Sequence, residues 1–135
     1  MSTELQILGL YGLVVIITIL AQVLAAQAQV GLPMLLAPRD DGLKLTGVAG
    51  RLERAQLNSI VAMALFAPAI LILAQKGIST SSTLLAAQAF LIARILYVPI
   101  YAMGLPWART IAWLIGFLAT AWLYYAGLGT AVAVG

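Results

Sequence analysis

Arginine is the residue type in this chain whose placement most needs explaining. Arg94 is the one charge in the run from Gly77 to Ala108. An arginine at the centre of a membrane span costs about 2.5–3.5 kcal/mol on insertion scales, so it must face protein, water or a bound anion. Tyr97 and Tyr101 follow it at i+3 and i+7, which puts all three side chains on one helical face. Pro99 between them leaves the Ile95 carbonyl without its amide donor and predicts a local bend. Arg51, Arg54 and Asn58 have the same i, i+3, i+7 spacing. Arg109 and Thr110 open the last apolar segment, where free amides and the helix dipole favour an anion. Each group also has a bland reading. Arg94 could pair helices or snorkel, the tyrosines could pack at an interface, Asn58 could bond between helices, and the remaining arginines could anchor headgroups. Together, four arginines with one local carboxylate, Glu53, describe a pocket short of negative charge. A bound anionic ligand would supply it.

The elements that must position these residues are long and apolar. Of 135 residues, 64% are hydrophobic and 8% charged, and the mean hydropathy is +1.09. A soluble domain carries about 25% charged residues, so a water-soluble fold, a disordered chain and a coiled coil are all excluded. Leu5 to Pro38, Ala55 to Gln75 and Thr110 to Gly135 contain no charge. A helix needs about 20 apolar residues to cross the hydrocarbon, and only helices satisfy such continuous runs in lipid. The patterning predicts an all-α integral membrane protein, a four-transmembrane-helix bundle forming one domain over 1–135. Its helices run over about Leu5 to Met34, 51–75, 83–103 and 107–127. Pro38, Asp40, Asp41 and Gly42 mark the first loop, and Ser79 to Ser82 can cap the third helix. Gln22, Gln27 and Gln29 among alanines read as close helix packing.

Arg39, Lys44, Arg51 and Arg54 flank the first loop and Arg109 follows the third, whereas the second holds Lys76. By the positive-inside rule, loops 1 and 3 are expected in the cytoplasm and both termini on the opposite side. Trp107 and Tyr124 lie about 26 Å apart along a helix, one for each interface. The acidic N-terminus does not resemble a removable signal peptide. The chain has no cysteine and no histidine, which excludes disulfides, a thiol nucleophile and the usual zinc and haem ligands. A metal is therefore not expected. The net charge of +3 is accounted for by topology rather than by nucleic-acid binding.

In this order, these residues resemble the MAPEG family, the membrane-associated proteins of eicosanoid and glutathione metabolism, as a bacterial-type member. Arg51-Leu52-Glu53-Arg54-Ala55-Gln56-Leu57-Asn58 is similar to the family signature, an Arg-Ala-x-x-Asn core preceded by another arginine. Arg94 with Tyr97 and Tyr101, then Pro106-Trp107-Ala108-Arg109-Thr110, resembles the family pattern in the last two helices. The resemblance implies a homotrimer in the bacterial inner membrane, in contact with lipids, with glutathione held between subunits. It implies that Arg51, Arg54 and Asn58 hold the tripeptide's carboxylates and amides, and that Arg94, Tyr97 and Tyr101 line the cavity. Arg109, with Thr110, would stabilise the thiolate, since a cation beside sulfur lowers the thiol pKa. Lipophilic electrophiles or hydroperoxides would arrive from the bilayer. Active members usually carry an acidic residue three positions after the asparagine, where this chain has Val61, and often basic residues where it has Gln29, Gly31 and Leu32.

The expected function is thus a membrane-bound glutathione-dependent transferase or peroxidase acting on lipophilic small molecules. The alternative is a non-catalytic relative that binds lipid or a partner subunit. A proton-coupled transporter would need an intramembrane acid, and the predicted spans hold none.

Overall fold

The computed structural model describes residues 3–37 and 44–129. Pro38, Arg39, Asp40, Asp41 and Gly42 of the expected first loop lie outside the described residues. The helices are α1 (Thr3–Val30), α2 (Leu32–Leu36), α3 (Gly47–Lys76), α4 (Ser81–Ala102) and α5 (Pro106–Gly129). All but α2 are long and apolar enough to cross a bilayer, so this is an integral membrane protein. Their outward faces carry Leu13, Ile17, Leu24, Ile92 and Leu118 in exposed positions, the surface that meets lipid.

The helix expected to reach Met34 breaks at Gly31. Pro33 has no amide proton to donate back to the Gln29 carbonyl, and Gly31 takes φ 82°, a conformation that favours glycine. After the break, Gln29 holds the start of α3. Its Nε2 donates to the Thr46 carbonyl at 2.9 Å, and its Oε1 accepts from the Thr46 amide at 3.0 Å. This side chain therefore ties α1 to the end of the first loop, and α3 begins at Gly47, four residues before the expected Arg51.

The N-terminus of α1 differs too. The helix already includes Glu4, placing a carboxylate inside the first span, where the sequence reading expected none. Glu4 is buried and accepts from Ser79 Oγ at 2.9 Å and from Thr83 Oγ1 at 2.8 Å. The same threonine forms a capping box with Thr80 at the start of α4. Hydroxyl donors presented at a helix N-terminus make burial of this carboxylate tolerable.

α1 packs chiefly on α3, and α4 on α5, giving two antiparallel pairs laid against each other. Tyr11, Phe66 and Phe90 form the centre of the core. The Phe66 and Phe90 rings stack at 3.8 Å, and Tyr11 meets Phe90 edge-on at 4.8 Å. At one end of the bundle Lys76 Nζ donates to the Gly127 carbonyl, joining α3 to α5. α4 continues through Pro99, and α3 through Pro68. The Tyr124 hydroxyl donates to the Leu65 carbonyl, less than one turn before Pro68.

Candidate functional site

Antiparallel packing brings the N-terminal part of α3, the C-terminal half of α4 and the first turn of α5 to the same end of the bundle. Arg54 comes from α3, Tyr97 and Tyr101 from α4, and Arg109 from α5. Arg54 Nε donates to the Tyr101 hydroxyl at 3.2 Å, and its guanidinium carbon lies 5.9 Å from the ring centroid. The Arg109 guanidinium lies 4.7 Å from that same centroid. Tyr97 meets Tyr101 edge-on at 5.6 Å, and the Arg94 guanidinium sits 4.0 Å from the Tyr97 centroid. Arginines from three helices are thus gathered around one pair of tyrosines, where the ring faces partly offset the crowding of like charge.

Arg94 lies deepest, about 10 Å below Tyr101 along α4 at 1.5 Å per residue. It is 2% exposed, and its terminal nitrogen donates to Ser59 Oγ at 3.3 Å. Its Nε is buried with no hydrogen-bond partner among the described residues. Gly116 makes room for it, since a Cβ there would stand 3.3 Å from Arg94 Cδ. Beside the guanidinium is a cavity of about 120 Å³, walled by Asn58, Val61, Phe90, Trp113, Phe117 and Thr120 among others. Val61, Leu65 and Phe117 are exposed, so the mouth lies between α3 and α5 on the outer face of the bundle. Trp113 and Phe117 stack at 5.1 Å along its α5 side. The arrangement offers a buried cation in an apolar hollow, with two further cations one to two turns nearer the membrane surface.

The remaining expected residues are placed as follows. Asn58 is half-buried on the cavity wall. Arg51 Nε donates to the Ala102 carbonyl at 2.8 Å, and its stem passes Gly104. Both arginines reach the end of α4: Arg51 bonds the Ala102 carbonyl, left open at the helix C-terminus, and Arg54 bonds the Tyr101 hydroxyl. Thr110 is exposed, and its hydroxyl donates to Pro106 one turn back at 2.9 Å, outside the group around Tyr101.

Sequence reasoning missed Ser59 and Tyr11. The Tyr11 hydroxyl donates to the Ser59 carbonyl at 3.0 Å, so α1 fixes the stretch of α3 that partners Arg94. The available signal was a second polar position adjoining Asn58, about 100° round the helix and so turned toward a different neighbour. Gln56 was also passed over, and its Oε1 is buried without a partner among the described residues.

In comparisons with known proteins, the MAPEG family model matches residues 5–129, nearly the whole chain. No curated protein and no solved structure matches it.

Proposed function

Because this chain belongs to the MAPEG family, we propose that it is a membrane-bound glutathione-dependent transferase or peroxidase acting on lipophilic electrophiles. The observation that carries this reading is the gathering of Arg54, Arg94 and Arg109 around Tyr97 and Tyr101, with the Arg94 Nε unpartnered among the described residues beside a cavity. The donor set suits an elongated dianion. Arg54 at the outer tier can hold one carboxylate, with Arg51 beside it, and Asn58 can bond a peptide amide. Arg94 provides the deep positive charge.

Glutathione, when bound, would supply a thiolate sulfur that bonds to an electrophilic carbon while the leaving group departs with its electron pair. Arg109 is assigned to hold that sulfur ionised. A fixed guanidinium in a water-poor site stabilises a thiolate far more than it would in bulk water, with the thiol proton released to solvent. The Tyr101 hydroxyl, held by Arg54, can donate to the sulfur or to oxygen on the second substrate. A hydroperoxide would consume two thiols and yield an alcohol, water and a disulfide. Val61, Leu65 and Phe117 form an apolar threshold across which a bilayer-dissolved substrate can enter.

This proposal extends to a homotrimer, and to an orientation with loops 1 and 3 in the cytoplasm of a bacterial inner membrane. Lys44, Arg51, Arg54 and Arg109 at one end against Lys76 at the other support that orientation. The exposed apolar cavity mouth also supports the alternative of a non-catalytic protein holding a lipid, with a headgroup phosphate on Arg54 and Arg109. Titration calorimetry of detergent-purified protein separates the two readings. Glutathione binding at millimolar ligand or below, with thiolate absorbance that Arg109→Ala diminishes, is expected. No binding, with Arg109→Ala indistinguishable from the parent, would overturn the enzymatic reading.

A further inference from the structure

We propose that Arg51 is a positioning residue, which closes the C-terminus of α4 and thereby holds Arg109 over the Tyr101 ring. The inference rests on the thiol-binding reading above and gives Arg51 a part in it other than contact with the ligand. The last four carbonyls of a helix have no partner within it. In α4 these belong to Pro99, Ile100, Tyr101 and Ala102. The amides of Met103, Leu105 and Gly104 serve the first three, at 3.0, 3.3 and 3.0 Å. With Gly104 at φ 74°, this is the glycine-centred (Schellman) ending that many helices adopt. Ala102 is left over. A continuing helix would serve it with the amide of residue 106, but Pro106 has no proton to give. Arg51 Nε takes that place at 2.8 Å, and its stem lies along Gly104, where a Cβ would stand 3.7 Å from Nε. A cation here also meets the negative end of the helix dipole.

The closed turn carries two groups that the proposed chemistry uses. Tyr101 lies in the last turn of α4, and its carbonyl accepts from Gly104. Leu105, whose amide reaches back to Ile100, accepts in turn from the Arg109 amide at 3.1 Å. Main-chain bonds therefore join the end of α4 to Arg109, whose guanidinium stands 4.7 Å from the Tyr101 centroid. Arg54, one turn along α3 from Arg51, holds the hydroxyl of the same tyrosine. In this way α3 grips the end of α4 twice, by its main chain through Arg51 and by its side chain through Arg54. Without the Arg51 bond the Ala102 carbonyl loses its donor, the turn is free to shift, and Arg109 moves with it. Sulfur held by Arg109 would then ionise less readily.

The test compares Arg51→Met, which keeps the apolar stem and loses the donor, with Arg51→Gln. Glutamine sets an amide N–H donor the same number of bonds from Cα as the arginine Nε, without the charge. Glutathione is titrated by calorimetry against each full-length protein in detergent, and ionisation of the bound thiol is followed by thiolate absorbance against pH. Arg51→Met should weaken binding about fivefold or more, the ratio that about 1 kcal/mol gives, and should raise the ionisation midpoint. Arg51→Gln should restore the midpoint and bring the affinity back to within about twofold of the parent. A fault in folding alone lowers the amount of competent protein and does not move the midpoint of thiol bound to the remainder. If Arg51→Gln is as impaired as Arg51→Met, the charge itself meets the ligand and the inference is overturned. A midpoint unmoved in Arg51→Met refutes it too. Should Arg51→Met not fold, Arg51→Gln alone decides, and a midpoint above the parent's counts against the inference. If the parent binds no thiol, the proposed function fails. The clamp is then judged on ligand-free protein by hydrogen exchange at the Gly104 and Leu105 amides, expected to be faster in Arg51→Met than in Arg51→Gln, with equal rates refuting it.

Discussion

Replacing Arg94 by methionine separates a binding role from a structural one. Taking a guanidinium into a bilayer-spanning bundle costs about 2.5–3.5 kcal/mol. Against that, a desolvated cation–π contact such as the one with Tyr97 at 4.0 Å returns about 2 kcal/mol. A charge-assisted hydrogen bond returns about 1.5–3 kcal/mol, and the 3.3 Å bond to Ser59 belongs at the weak end of that range. With Nε unpartnered, the terms cancel to within about 1 kcal/mol. Methionine removes all of them together and fills much of the same volume beside Gly116 and Phe90. Unfolding titrated with denaturing detergent in mixed micelles should therefore place Arg94→Met within about 1 kcal/mol of the parent. Calorimetry on the same samples should find anionic thiol binding weakened at least about tenfold, since about 1.4 kcal/mol per tenfold is less than one charge-assisted bond. A variant that loses more than about 2 kcal/mol of stability and still binds would show that Arg94 is a helix staple, and the argument from its missing partner would fail.

Other expectations follow from the same contacts. Tyr101→Phe removes the hydroxyl that accepts from Arg54 but keeps the ring under Arg109, so stability should change by less than about 0.5 kcal/mol while thiol affinity falls several-fold by calorimetry. Gly116→Val drives a branched side chain toward Arg94 Cδ, and the overpacking should cost about 1–3 kcal/mol in detergent unfolding and reduce binding. Glu4→Ala strips Ser79 of its acceptor and leaves Thr83 the Thr80 carbonyl, with a loss of about 1–3 kcal/mol and faster hydrogen exchange at the first turn of α4. Unchanged exchange there would argue against a fastening role for Glu4. Chemical crosslinking in native membranes should give species up to three subunits, and a ladder ending at two would remove the trimer from the proposal.

Where the chain crosses the membrane is legible in the sequence because the hydrocarbon imposes a local requirement. About 20 consecutive largely apolar residues are needed whatever the neighbours are, and three charge-free runs and a fourth with the single charge Arg94 meet it. The spacings of Arg94 with Tyr97 and Tyr101, and of Arg54 with Asn58, are equally local, since helix pitch alone puts each set on one face. The ends of the helices were less legible, because they depend on partners from elsewhere. Glu4 is helical and buried because Ser79 and Thr83 meet it, about eighty residues along the chain. The start of α3 at Gly47 rests on Gln29, which a sequence reading takes for helix packing.

The family likeness and the four spans could thus be read from the order of residues, which reflects local chemistry and the demands of the bilayer. Only the tertiary structure decided that Arg54 and Arg109 share one tyrosine ring while Thr110 turns back on its own helix. It also decided that Arg94 keeps a nitrogen unpartnered among the described residues, beside a cavity that Gly116 helps to line. The physical reason is that helix periodicity fixes the angle of each side chain about its own axis. Which axes stand side by side, and at what height, is fixed by packing between residues far apart in the chain.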